Sequence, residues 1–229
     1  MLIKMKRLIT IASLPITWMA VWLFFVLYLQ PQGIDYTDRY LITCLYFLVI
    51  ITYLTFIFKK QIGEYVDKFS PKDLLNMVIF ALFVIVTYFF IRIFSENSPL
   101  NAIRSTLPQM LWLDQRYLVT KSFEIMFQQT FFMISIYYIY NEKLSDYLDM
   151  LIFGLYCLIL HFPVLFIEGS MGKILFSVSF FAGVVFAYCI TKSKKGFIYS
   201  YMIHFGFYVL LAAIFWLGGD KYIVPLLVK

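Results

Sequence analysis

Charge is what this chain has least of. Only 14% of its 229 residues are charged, against roughly 25% in a soluble domain, so a solvated globular surface is excluded. Cysteine is scarce too: Cys44, Cys157 and Cys189 all fall inside apolar runs. None has a CxxC neighbour, which excludes a disulfide framework and a thiolate metal site and leaves small buried hydrophobes. Histidine occurs only at His161 and His204. No long polar stretch interrupts the chain, so no extramembrane domain is expected. No internal repeat is evident, which opposes a carrier built from inverted halves.

What the chain has is apolar length. Hydrophobic residues make up 62% and aromatic residues 21%, in runs of about 20 residues, as a bilayer core of about 30 Å requires. The expected fold is all-α: a polytopic membrane protein of one domain, residues 1–229, with about seven transmembrane helices. The spans fall near residues 8–30, 40–58, 74–94, 118–140, 147–167, 173–191 and 197–217. The first is too long for a signal-peptide core and lacks a small-residue cleavage site, so it reads as an uncleaved span. Ser70-Pro71 has the chemistry of an N-cap followed by a first helical residue. Pro15 and Pro163 fall within spans, where neighbours must satisfy the freed carbonyls.

The net charge of +6 follows the positive-inside rule. Lys4, Lys6, Arg7, Lys59, Lys60, Lys68, Lys72, Lys143, Lys192, Lys194 and Lys195 fall on one side. Arg39, Arg104, Arg116, Lys173, Lys221 and Lys229 fall on the other. The compact lysine clusters predict the first side to be cytoplasmic, with the N-terminus inside and a multi-pass placement in the cell (plasma or inner) membrane. Basic residues do not alternate with aromatics as RNA binders require, so no nucleic-acid partner is expected. The link from Lys59 to Asp73 reads as a short surface helix. Leu111-Trp112-Leu113 reads as a segment that re-enters over the mouth of the fourth span, and Tyr222–Val228 as an interfacial tail. Arg92 and Glu96 read as a solvated i,i+4 pair.

Polar side chains at membrane depth are expensive and mark function by default. The fourth span carries Glu124, Gln128 and Gln129, the fifth His161 and the seventh His204. At about 1.5 Å per residue these form a ladder. Glu124 and His161 are expected to meet directly, with Gln128, Gln129 and His204 lining the same cavity more deeply. A carboxylate and an imidazole around one water can activate it for hydrolysis, whereas a glutamine amide only donates and accepts hydrogen bonds. Competing with these roles are interhelical hydrogen-bond glue for the glutamines and a snorkelling contact of Glu124 with Lys121.

Three segments resemble a known family. The run Phe153-Gly154-Leu155-Tyr156-Cys157-Leu158-Ile159-Leu160-His161-Phe162-Pro163 resembles the second motif of the CAAX protease and bacteriocin-processing (CPBP) family of intramembrane glutamic proteases. Phe127-Gln128-Gln129-Thr130-Phe131-Phe132-Met133 aligns with that family's first motif, E-E-x-x-F-R. His204-Phe205-Gly206-Phe207-Tyr208 resembles its last, H-x-x-x-N. The resemblance covers about residues 118–217 and implies a CPBP-like bundle. His161 and His204 carry over, while Gln128, Gln129, Met133 and Tyr208 stand where the family's glutamates, arginine and asparagine belong. The expectation is therefore a degenerate member: a pseudoprotease scaffold or regulator that binds another membrane protein or transmembrane segment, with no metal or other cofactor. The alternatives are an active intramembrane endopeptidase using Glu124 and His161 with His204, and a small carrier or channel.

Overall fold

The computed structural model describes residues 2–66, 70–95, 111, 114–142, 144–167, 169–193 and 195–222. Every regular element among them is helical. The order is α1 (Leu2–Phe24), α2 (Tyr40–Ile57), α3 (Lys59–Gly63), α4 (Pro71–Ser95), α5 (Gln115–Tyr140), α6 (Asp146–His161), α7 (Val164–Ile167), α8 (Gly169–Lys192) and α9 (Gly196–Tyr222). Helix α1 continues through a π-helical turn, Phe25–Leu29, and a 3₁₀ turn, Gln30–Gln32. The all-α membrane fold read from the sequence is therefore the fold observed.

The count of seven spans is corrected. Among the described residues, five helical stretches are long and apolar enough to cross a bilayer: Ile9–Gln32, Tyr40–Ile57, Pro71–Ile93, Gly172–Lys192 and Gly196–Leu217. The expected fourth and fifth spans do form helices, but neither is a plain apolar span. Helix α5, 26 residues long, would reach about 39 Å, but polar residues interrupt it at Thr120, Lys121, Glu124, Gln128, Gln129 and Ser135. Helix α6 has only 16 residues, because the chain breaks at Phe162-Pro163 before resuming as α7.

Burial explains how α5 tolerates its polarity. It is the inner helix of the bundle, packed by α1, α2, α3, α6 and α9, and nearly every residue from Glu124 to Ile136 is buried. A helix buried on all sides needs no apolar stripe. Helix α4 does the reverse, leaving Leu74, Val78, Ile85 and Phe89 exposed as lipid-facing side chains are. Helix α8 packs against both α6 and α9. Its approach to α6 depends on two glycines, since a Cβ on Gly183 would sit 3.0 Å from the Gly154 Cα and 2.8 Å from Cys157 Sγ. Small residues at such crossings let membrane helices approach closely.

The helix ends are capped as their sequences predict. The Ser70 amide donates to Asp73 Oδ2 (2.8 Å) and the Asp73 amide to Ser70 Oγ (3.3 Å), a reciprocal capping box ahead of α4. Lys195 Nζ, from the α8–α9 turn, pairs with the same carboxylate at 3.0 Å, and Lys192 pairs with Asp146 at the start of α6. These contacts gather the starts of α4 and α6 and the α8–α9 turn at one end of the bundle. At the other end, Arg116 Nη1 donates to the Thr37 carbonyl (3.4 Å) and Trp216 Nε1 to the Leu111 carbonyl (2.7 Å).

Leu111 is fully buried, while Trp112 and Leu113 lie outside the described residues. So do residues 67–69, Glu96 and residues 223–229; of the expected surface helix, the described part is helical in the five-residue α3, and residues 71–73 belong to α4.

Candidate functional site

A cavity of about 300 Å³ lies between α1, α5, α6, α8 and α9. Along α5 it runs from Tyr117 to Phe132. Glu124, His161, His204, Gln128 and Tyr208, assigned to one site from the sequence, all line it. Gln129 and Met133 do not. Gln129 acts from behind the wall, through His204, and Met133 lines a second cavity nearer the α3 end.

The polar centre is an ion pair between Glu124 and Lys121, the contact that the sequence sets in competition with a hydrolytic role for Glu124. Lys121 Nζ lies 2.8 Å from Glu124 Oε2, and both residues are buried. Tyr36 OH donates to the same oxygen at 2.8 Å, and Gln128 Nε2 donates to Oε1 at 2.8 Å. Three donors thus hold one carboxylate. The lysine ammonium also lies over two aromatic faces, 4.4 Å from the Tyr208 ring centroid and 5.5 Å from that of Tyr36, which stabilises a desolvated cation. Removing two charges from water is costly, and mutual attraction offsets that cost only when further hydrogen bonds complete the pair.

Tyr36 reaches this centre because of the turn between α1 and α2. Gly33, at φ 70°, caps the 3₁₀ turn in the left-handed region that glycine enters freely. Asp35 Oδ1 then accepts from the amides of Thr37 and Asp38, each at 2.7 Å, an Asx turn. The Thr120 hydroxyl donates to the Tyr36 carbonyl at 3.2 Å. Burial first, and then the Glu124 carboxylate, push the Tyr36 phenol well above its ordinary range, so it stays protonated and donates. Nothing near residue 36 in the sequence signals a contact with residue 124.

The two imidazoles face the cavity in opposite senses. His161 is half-buried at the end of α6, with Nδ1 2.8 Å from the Cys157 carbonyl. A carbonyl only accepts, so Nδ1 donates and Nε2 of the neutral ring is left as an acceptor. His204 is buried, its ring parallel to Phe132 at 6.4 Å. Ser200 Oγ lies 2.8 Å from Gln129 Oε1, and Gln129 Nε2 lies 3.1 Å from His204 Nδ1. With the amide oriented this way Nδ1 accepts, and the ring proton sits on Nε2.

The expected direct meeting of Glu124 and His161 does not occur. Both face the cavity, but each is bonded elsewhere. Among the described residues no three His, Cys, Asp or Glu side chains converge as metal ligands would.

The rest of the wall is apolar. Trp18 stacks on Phe127 and Phe132 at 5.2 and 5.8 Å, and its indole Nε1 donates to the Leu160 carbonyl at 3.0 Å. That carbonyl lies in the turn where Pro163 interrupts the helix, and the bond satisfies a group otherwise exposed at membrane depth. The π-helical turn of α1 brings Val26 to the same wall, and π turns are frequent at functional sites. Comparison with family models, with curated proteins and with solved structures found no match.

The ion pair yields a test of stability. Lys121→Met leaves a buried carboxylate without its counter-charge and should destabilise the protein by about 3–5 kcal/mol. Adding Glu124→Gln should recover most of that loss, because the remaining hydrogen bonds suit a neutral amide. Thermal unfolding of both variants in detergent measures the difference.

Proposed function

We propose that this chain is a membrane-embedded binding protein of the degenerate-protease kind: a scaffold or regulator that seats part of another membrane protein in its central cavity without cutting it. The observation that carries this reading is the state of Glu124. Both of its oxygens are engaged, by Lys121 and Tyr36 on one side and Gln128 on the other. A general base must reach the proton of the water it activates, and here three donors already occupy three of the carboxylate's roughly four acceptor sites, with the Lys121 ammonium fixed against it. The same contacts oppose the endopeptidase alternative based on Glu124 and His161. The resemblance of the Gln128–Met133, Phe153–Pro163 and His204–Tyr208 segments to CPBP motifs supports a protease-like ancestry for the cavity.

The lining shapes the guest. Large side chains of a partner segment are met by Trp18, Phe186 and Phe207 as apolar walls. The polar groups left for the guest include an acceptor on His161, the Gln128 Oε1, which has no hydrogen-bond partner among the described residues, and a donor on His204.

We further propose that the protein lies in the cell membrane with its N-terminus cytoplasmic. The Lys195–Asp73 and Lys192–Asp146 pairs gather lysine-bearing links at one end of the bundle, which supports placing that end inside by the positive-inside rule.

Two measurements follow from these readings. A photo-crosslinking residue at Ile203, which lines the cavity and is 46% exposed, should yield a discrete adduct with one membrane protein. A cavity-filling Ala182→Phe should abolish it. Adducts with lipid alone, or peptide cleavage lost in Glu124→Gln, would overturn the scaffold reading. For orientation, in a background lacking the native cysteines, a cysteine at Asp220 should react with an impermeant reagent outside intact cells and one at Ser193 should not. The reverse pattern would invert the proposed topology.

A further inference from the structure

A second cavity, of about 220 Å³, lies at the α3 end of the bundle between α2, α5 and the start of α9. It is separate from the cavity around Glu124, and none of the roles proposed above uses it. Its walls are almost wholly apolar, formed by Ile51, Ile62, Met126, Met133, Phe197 and Ile198.

Two of the polar groups among its lining residues are bonded elsewhere: Thr130 Oγ1 donates to the Met126 carbonyl of its own helix at 2.9 Å, and Lys195 Nζ is drawn to Asp73 at 3.0 Å. The hydroxyls of Thr55 and Tyr65 complete the polar part of the lining. Thr55 lines the cavity from the exposed face of α2, so the space is reached from the lipid side.

Its surroundings are basic. Helix α3 contributes Ile62, buried into the cavity, while Lys59 and Lys60 of the same short helix are exposed. Gln61 Nε2 donates to the Tyr138 hydroxyl of α5 at 3.2 Å, fixing α3 to the bundle. Lys195 stands in the wall itself. Asp73 offsets the charge of Lys195, and Glu64 follows α3, but Lys59 and Lys60 stand exposed on the short helix that bounds the slot, which matches a molecule apolar in its body and anionic at its head. Charge attraction of this kind draws lysines toward anionic headgroups within a Debye length of the surface.

We propose that the second cavity is a phospholipid site, taking one acyl chain of an anionic phospholipid whose phosphate is met by the exposed Lys59 and Lys60. Lipid in this slot fills the space between α2 and α9 that the protein's own side chains leave open, and so braces α3 against α5.

The test uses the full chain in nanodiscs of mixed phosphatidylglycerol and phosphatidylcholine, extracted into mild detergent, with retained lipid counted by native mass spectrometry. About one phosphatidylglycerol should stay per chain, at least fivefold over phosphatidylcholine. Thr55→Trp, an exposed position that tolerates bulk, should cut retention of both lipids at least fivefold with unfolding temperature measured alongside. Lys59→Gln with Lys60→Gln should bring the preference between the two lipids below twofold. Glycerophosphoglycerol, the headgroup without chains, should not compete. Equal retention of phosphatidylglycerol in Thr55→Trp overturns the proposal, as does displacement by the free headgroup, which would mark a phosphate site only. No retained lipid, together with a dimer that Thr55→Trp turns monomeric, also overturns it and makes this face an interface between copies.

Discussion

The buried pair of Lys121 and Glu124 is the constraint around which the rest of the bundle is arranged. A carboxylate and an ammonium can lie this deep only with further contacts completing the pair. Tyr36 arrives from the α1–α2 turn and Gln128 from the next turn of α5 to hydrogen-bond the carboxylate, and the Tyr208 ring arrives from α9 to face the ammonium. The pair therefore fixes how α1, α2 and α9 sit around α5. It also decides the chemistry of the cavity, because a carboxylate held by three donors is a structural anchor rather than a free base.

That requirement explains why the most polar helix is the innermost one. In lipid, α5 would expose two charges and two amides at depth, each costly without partners. Enclosed by five other helices, the same residues become the adhesive of the bundle. Gln129 shows this at the deep end of the cavity, holding Ser200 with one end of its amide and His204 with the other. The protein spends its apolar surface on the outer helices, where α4 has few buried residues, and concentrates its polar contacts along one central rod.

Much of this was legible in the sequence. Apolar runs located the long helices to within a few residues, and the Ser70-Pro71 signal marked the start of α4. The rarity of polar residues at depth singled out Glu124, Gln128, His161 and His204, which do face one cavity. The errors have physical reasons. Counting by hydropathy alone made α5 and α6 ordinary spans, although one is polar because it is enclosed and the other is cut short at Pro163. Depth along a helix predicted that Glu124 and His161 would touch, but depth does not include azimuth, and a lysine one turn away captures the carboxylate first. Met133 shares a helix with Gln128 yet serves a different cavity. Gly154, part of the run that resembles a CPBP motif, is a point of helix contact with α8, so a larger side chain there disturbs packing. Tyr36 was invisible because the contact joins residues 88 positions apart, and no local pattern encodes it.

The central claim is that Glu124 is an ion-paired carboxylate held as part of the framework. Infrared spectroscopy of protein carrying carbon-13 carboxyl-labelled glutamate tests it directly, with Glu124→Gln identifying the band that belongs to this residue. The account predicts that the difference spectrum loses an ionised-carboxylate band. A difference spectrum that instead loses the carbonyl band of a protonated acid would contradict it.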